Sequence, residues 1–282
     1  MISDFDVRLD DHRVVHGYSI EPGNPSGDDR LAVCWHHGTS NIGSPPRPLF
    51  DAADRLGLRW FSFDRPGYGG STAVPGRAVA DVAELAAAVA DARGIDRFAV
   101  MGHSGGGPHA LACAAHLSDR VVAAVSGAGL APFTADGLDW FAGMTDSGVA
   151  SLTSAAAGRD AKERFEASGA EYDPEFTSAD LEMLAGEWGW LGEVVGPAVA
   201  GGPGGLIADD LAYVSPWGFE PAEVTVPTLL IHGTADRVVP CAHSEWLTTH
   251  CPDAELRLAD GDVHLSVLRH AVDALEWIRN HA

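Results

Sequence analysis

The chain has 282 residues, 46% of them hydrophobic, enough for one large α/β domain or a core with a smaller inserted one. A formal net charge of −22 argues against nucleic-acid or anionic-membrane partners, which would need a basic surface. Lys162, in the polar run GRDAKERFE, is the single lysine and is expected to be solvated. There is no GxxxxGK[ST] phosphate loop, and Schiff-base chemistry would have to rest on that one side chain.

The start MISDFDVRLDD lacks the basic and apolar regions of a signal peptide, and no apolar run is long enough to span a bilayer. Cys34, Cys113, Cys241 and Cys251 show neither CxxC nor zinc-ligand spacing and read as reduced thiols of a cytoplasmic protein. No HExxH or EF-hand loop occurs. His36 and His37, adjacent on a strand, would point to opposite faces, so no metal is expected.

In chain order, DVRLDD and RVVHGYSI read as two strands around an Asp-Asp turn, followed by the loop EPGNPSGDDR. LAVCWHHG is a short apolar strand, RPLFDAADRLG a helix, LRWFSFD a strand and RPGYGGS a loop. In AVADVAELAAAVADARG, Val79, Val82, Leu85, Ala86 and Val89 recur at helical spacing. RFAVMGHS, GGPHALACAAHL and DRVVAAVSG continue as strand, helix and strand. From about Leu130 to Ser215 the alternation stops: LDWFAGM, SADLEMLAGEW and GEVVGPAVA read as helices, and no strand is evident. It resumes with VTVPTLLIHG, PCAHSEWLTTH, AELRLADG and HLSVLRHAVDALEWIRNHA. The predicted fold is α/β, a mostly parallel sheet of about eight strands with helices on both faces. Residues 1–130 and 216–282 form the core, and 131–215 a helical cap between strands 6 and 7.

The segment FAVMGHSGGGPHALACAA places Ser104 in the pattern Gly102-His103-Ser104-Gly105-Gly106, with a strand before it and a helix after. That is G-x-S-x-G in the strand-turn-helix context that marks a nucleophile elbow. Tiny residues are needed two before and two after the serine, because strand and helix nearly touch. A phosphate-binding turn would need GxGxxG, and Ser104 stands where its second glycine should be. A serine nucleophile needs a base, and the base an orienting acid, in the order Ser, Asp or Glu, His. Asp236 in GTADRVVP and His264 in DVHL both follow predicted strands and keep that order. Asp236 also suits a turn aspartate, and Asp262 and Asp260 compete for the acid's role.

With GHSGG, DRPGYGGS, GTADRVVP and DVHL in these places, the chain resembles the α/β-hydrolase family over roughly Leu31–Leu130 and Pro216–Ala282. The resemblance gives DRPGYGGS, residues 64–71, a structural role under the site. It implies oxyanion donors at the Gly105 N–H and at Thr39, after His37-Gly38. Many relatives have proline after that second position, where this chain has Ser40. His37 and His103 are expected to pack or hydrogen-bond structurally; His36, His109 and His116 carry no distinguishing signal.

Serine as nucleophile argues against relatives that use aspartate, such as epoxide hydrolases and haloalkane dehalogenases. The expected activity is cofactor-free hydrolysis of a carboxylic ester, lactone or thioester of a small-to-medium apolar molecule, by a monomer or homodimer. C–C bond hydrolysis, lyase chemistry or acyl transfer by the same triad stay open, as does a ligand-binding receptor with vestigial turnover. Phe133, Trp140, Phe141, Met144, Trp188, Trp190 and Leu191 are numerous enough to line an apolar pocket, or to pack the insertion's helices. AGGPGG, residues 200–205, is a candidate hinge for a lid.

Overall fold

The computed structural model describes residues 2–20, 30–170 and 173–282; most of the predicted loop EPGNPSGDDR lies outside them. Strands β1 (Ile2–Arg8), β2 (Val14–Ile20), β3 (Leu31–His36), β4 (Leu58–Phe63), β5 (Phe98–His103), β6 (Val121–Gly127), β7 (Thr228–Gly233) and β8 (Ala254–Ala259) build one sheet. Their order is β1-β2-β4-β3-β5-β6-β7-β8. The pairs β1–β2 and β2–β4 are antiparallel, and every later pair is parallel. A mostly parallel sheet must be covered on both faces, and the side chains comply. In β3, Ala32 and Cys34 enter one core cluster and Val33 and Trp35 the other; Phe98 and Val100 of β5 likewise oppose Ala99 and Met101.

Helices α2 (Val82–Ala92) and α3 (Gly106–His116) cover the first face, and α1 (Phe50–Arg55) and α10 (Ala271–His281) the second. Helix α9 (Ala242–Thr248) joins β7 to β8. Between β6 and β7 the described residues form five α-helices: α4 (Asp146–Ala156), α5 (Arg159–Ala167), α6 (Ser178–Ala185), α7 (Trp190–Val199) and α8 (Gly204–Tyr213). No helix among the described residues is long and apolar enough to cross a membrane. All four cysteines are free.

Three local expectations are corrected. LDWFAGM is a run of turns, not a helix. Gly137, just before it, and Gly143, within it, take positive φ, and the Trp140 Nε1–H bonds the Ala131 carbonyl (2.8 Å) in place of a helical ladder. The glycines of residues 200–205 are only partly hinge-like, since Gly204 and Gly205 open α8. A Cβ on Gly205 would stand 2.7 Å from the Tyr68 ring, so this glycine serves close packing. Lys162 is not solvated but fully buried. Its ammonium meets Ser151 Oγ (2.6 Å), Glu166 Oε1 (2.6 Å) and Asp210 Oδ2 (2.7 Å), tying α5 to α4 and α8. Those partners lie up to 48 residues away in sequence, invisible to a reading of the polar run around it.

Removing one member of a buried ion cluster strands the others without their counter-charge. Lys162→Met is therefore expected to cost about 3–5 kcal/mol in urea unfolding. A loss near zero would contradict the buried cluster.

Candidate active site

The turn from β5 into α3 leaves no room for side chains. A Cβ on Gly102 would collide with the Gly106 carbonyl, and a Cβ on Gly106 with that of His36. Between them Ser104 sits at φ +55°, a left-handed conformation that L-residues other than Asn and Asp rarely adopt. Its N–H is taken by the Gly127 carbonyl (2.8 Å). A sharp, strained elbow of this kind lifts a serine hydroxyl above the sheet's carboxyl edge.

Loops after β7 and β8 deliver the partners. His264 Nε2 lies 2.9 Å from Ser104 Oγ, and its Nδ1 lies 2.8 Å from Asp236 Oδ2. Because a carboxylate only accepts, Nδ1 carries the proton and Nε2 accepts from the serine hydroxyl. Asp236 makes both kinds of contact that the sequence offered it. Oδ1 accepts from the Val238 and Val239 N–H groups (2.8 and 2.9 Å), as a turn aspartate does, while Oδ2 faces the imidazole. Burial opposes its ionisation, but His264 and the neighbouring His232 outweigh that and hold the carboxyl below the usual range.

The rival carboxylates are engaged elsewhere. Asp262 accepts from Ser266 Oγ (2.8 Å), Arg269 (3.1 Å) and His270 (3.0 Å), and Asp260 meets the Thr234 hydroxyl. His103 is buried, and its Nε2 bonds the His264 carbonyl at 3.0 Å. Burial, with His264 close by, pushes its pKa down to about 3, so the ring is a neutral donor at ordinary pH. His37 is also structural: Nδ1 bonds the Gly38 carbonyl (2.8 Å), and Nε2 accepts from the Arg65 N–H (3.1 Å).

Thr39, beyond the end of β3, adjoins Gly105: a Cβ on Gly105 would strike the Thr39 hydroxyl. Among the described residues, neither the Gly105 N–H nor the Thr39 N–H has a hydrogen-bond acceptor. The Thr39–Ser40 peptide is cis.

The structure adds a buried network that the sequence reading missed. Asp209 of α8 has no exposed surface and accepts from Arg65 Nε (3.1 Å), Arg65 Nη2, Arg77 Nη2, Tyr68 OH (2.9 Å) and Thr39 Oγ1 (3.0 Å). The same Arg65 guanidinium donates to the His37 and Gly38 carbonyls. Tyr213 OH donates to the Gly105 carbonyl (3.0 Å) and lies 2.8 Å from Thr39 Oγ1. His109 Nδ1 donates to that carbonyl as well (2.8 Å). The only sequence signal was a pair of carboxylates, Asp209-Asp210, in the apolar run GGLIADDLAY.

The aromatic residues of the insertion do not gather at one place. Phe133, Trp140, Phe141 and Met144 belong to one core cluster, with Trp140 edge-on to both phenylalanines. Trp188, Trp190 and Leu191 belong to the other.

Fold and site together define a hydrolase architecture. The chain is a member of the α/β-hydrolase fold family, whose sequence profile matches residues 32–271. Over 84 residues it is 38% identical to the pimeloyl-[acyl-carrier protein] methyl ester esterase of Aromatoleum aromaticum, a match spanning 30% of this chain and 32% of that enzyme. A hydrolase from Pseudomonas aeruginosa has a similar fold (TM-score 0.71, 19% identity, 99% of both chains). So does the enol-lactonase of Burkholderia xenovorans (0.70, 18%, 98% of this chain and 99% of that one). A thermophilic esterase from Thermogutta terrifontis is likewise similar (0.67, 18%, 99% and 100%).

Burial opposes ionisation of Asp209, yet Arg65 and Arg77 pull its carboxyl well below the usual range. A depressed carboxyl stabilises the fold fully above its unfolded pKa of about 3.9, and that contribution drains away as pH falls toward the folded value. The stability gap between wild type and Asp209→Asn should thus be widest at pH 7 and narrow below about pH 4. Urea unfolding at the two pH values measures it, and a gap that widens in acid contradicts the network.

Proposed function

We propose that the protein is a serine hydrolase that cleaves a carboxylic ester, lactone or thioester of a small-to-medium apolar molecule through an acyl-enzyme. The observation that carries this reading is the unbroken chain Ser104 Oγ, His264 imidazole, Asp236 carboxylate, with links of 2.9 and 2.8 Å. The ester and lactone activities named for the similar proteins agree with it.

Ser104 Oγ attacks the carbonyl carbon as His264 Nε2 takes its proton, and Asp236 stabilises the resulting imidazolium. The carbonyl oxygen becomes an oxyanion facing the N–H groups of Gly105 and Thr39, a preorganised donor pair worth about 3 kcal/mol per donor. The tetrahedral intermediate collapses, the alcohol leaves with the proton from His264, and the acyl group stays on Ser104. Water then gives a proton to His264 and its oxygen to the acyl carbon, and the acid departs as Ser104 recovers its hydrogen. Side chains, backbone and water suffice for every step. The helices between β6 and β7 act as a cap over this rim. We place the enzyme in the cytoplasm, as a monomer or homodimer acting on a small molecule, away from nucleic acid and membranes.

A panel of p-nitrophenyl esters tests the reading. Ser104→Ala should abolish hydrolysis above background, and Asp236→Asn should lower kcat on the order of 10⁴-fold by trapping the wrong imidazole tautomer. Activity that survives Ser104→Ala, or a wild type inert to the whole panel, contradicts ester cleavage by this serine.

A further inference from the structure

One peptide unit in the site is held at both ends by buried side chains. The carbonyl of His264 accepts from His103 Nε2 (3.0 Å), and the N–H of the next residue, Leu265, donates to Asp180 Oδ1 (2.7 Å). His103 belongs to the Ser104 elbow. Asp180 comes from the first turn of α6, in the helical segment between β6 and β7.

Asp180 is an unusual residue to find there. It is 2% exposed and has no cationic partner among the described residues. Burying a carboxylate without a counter-charge is costly unless hydrogen bonds replace its water. Its two oxygens divide the work. Oδ2 accepts from the Thr177 N–H (3.0 Å) and hydroxyl (3.2 Å), closing the capping box of α6, while Oδ1 reaches out of the helix to Leu265. The cap of α6 uses one oxygen, so the second is free to act on the His264 loop.

Resting on the serine-hydrolase reading, we propose that Asp180 is a positioning residue for the reaction: it fixes the peptide after His264 and thereby aims the imidazole at Ser104. The two anchors come from opposite sides, one from the nucleophile's own turn and one from the inserted helices. Neither touches the reacting atoms. Together they fix the backbone from which the imidazole must span Ser104 and Asp236 at 2.9 and 2.8 Å. Seating of α6 on the core is therefore a condition for an aligned base, and the insertion works on catalysis through the backbone of His264.

The test compares Asp180→Ala, Asp180→Asn and Thr177→Ala with wild type, in p-nitrophenyl ester hydrolysis and in proton NMR of the Nδ1–H that His264 shares with Asp236. Thr177→Ala removes a capping hydroxyl but keeps the bond to Leu265, so it should lose stability and keep kcat. Asp180→Ala should lower kcat on the order of 10–100-fold with KM little changed, the cost of a slightly misplaced catalytic group. It should also shift or broaden the Nδ1–H signal. Asp180→Asn retains one acceptor oxygen and should fall between. A wild-type kcat in Asp180→Ala, or an equal loss in Thr177→Ala, overturns the proposal. Should the alanine variant not fold, Asp180→Asn indistinguishable from Thr177→Ala in kcat and NMR overturns it equally. If the wild type cleaves no ester, the serine-hydrolase reading fails by itself, and the Nδ1–H signal still decides whether Asp180 sets the imidazole.

Discussion

The close approach of β5 and α3 governs this molecule. With Gly102 pressed on the Gly106 carbonyl and Gly106 on that of His36, no residue but glycine fits either side of the turn. Ser104 between them takes a backbone conformation at φ +55° that costs on the order of 1–3 kcal/mol, sustained only because the surroundings over-determine it. The result is a hydroxyl fixed in space at the sheet's carboxyl edge before any substrate arrives. Parallel strands then bring the other contributors to that edge, since β3, β7 and β8 all run the same way as β5.

Buried carboxylates organise what surrounds the hydroxyl. Asp236, in the loop after β7, accepts from the His264 imidazole. Asp209, reaching in from α8, holds Arg65, Arg77, Tyr68 and Thr39 in one cluster beside the Gly105 turn. Asp180, from α6, takes the N–H that follows His264. Two of the three come from the helices between β6 and β7. They contact the imidazole side of the site through one acid and the Thr39 side through another. Lys162 in turn pins α5 to α4 and α8, the helix that bears Asp209.

The meeting of Ser104, Asp236 and His264 at one edge of the sheet was legible in the sequence because each is announced locally, by a motif or by its place after an apolar strand. The parallel sheet was legible for the same reason, through runs such as LAVCWHH and TLLIHG. What escaped was long-range charge pairing. Nothing near Lys162 in GRDAKERFE signals that it is buried against Asp210, and Arg65 pairs with Asp209 across 144 residues. Helical periodicity failed at LDWFAGM, where glycine turns and side-chain bonds to the backbone replaced the helix ladder. The aromatic residues of the insertion looked alike in sequence, yet Phe133 and Trp188 ended in different clusters. Hydrophobicity says that a side chain is buried but not against what.

The most direct test of the account is covalent labelling of the folded chain with a fluorophosphonate, followed by peptide mass spectrometry. The strained hydroxyl, 2.9 Å from the His264 imidazole, predicts a single phosphonyl adduct, on the peptide that contains Ser104, and none after unfolding in urea. A folded protein that stays unmodified at Ser104, or that carries its adduct on a different residue, would contradict it.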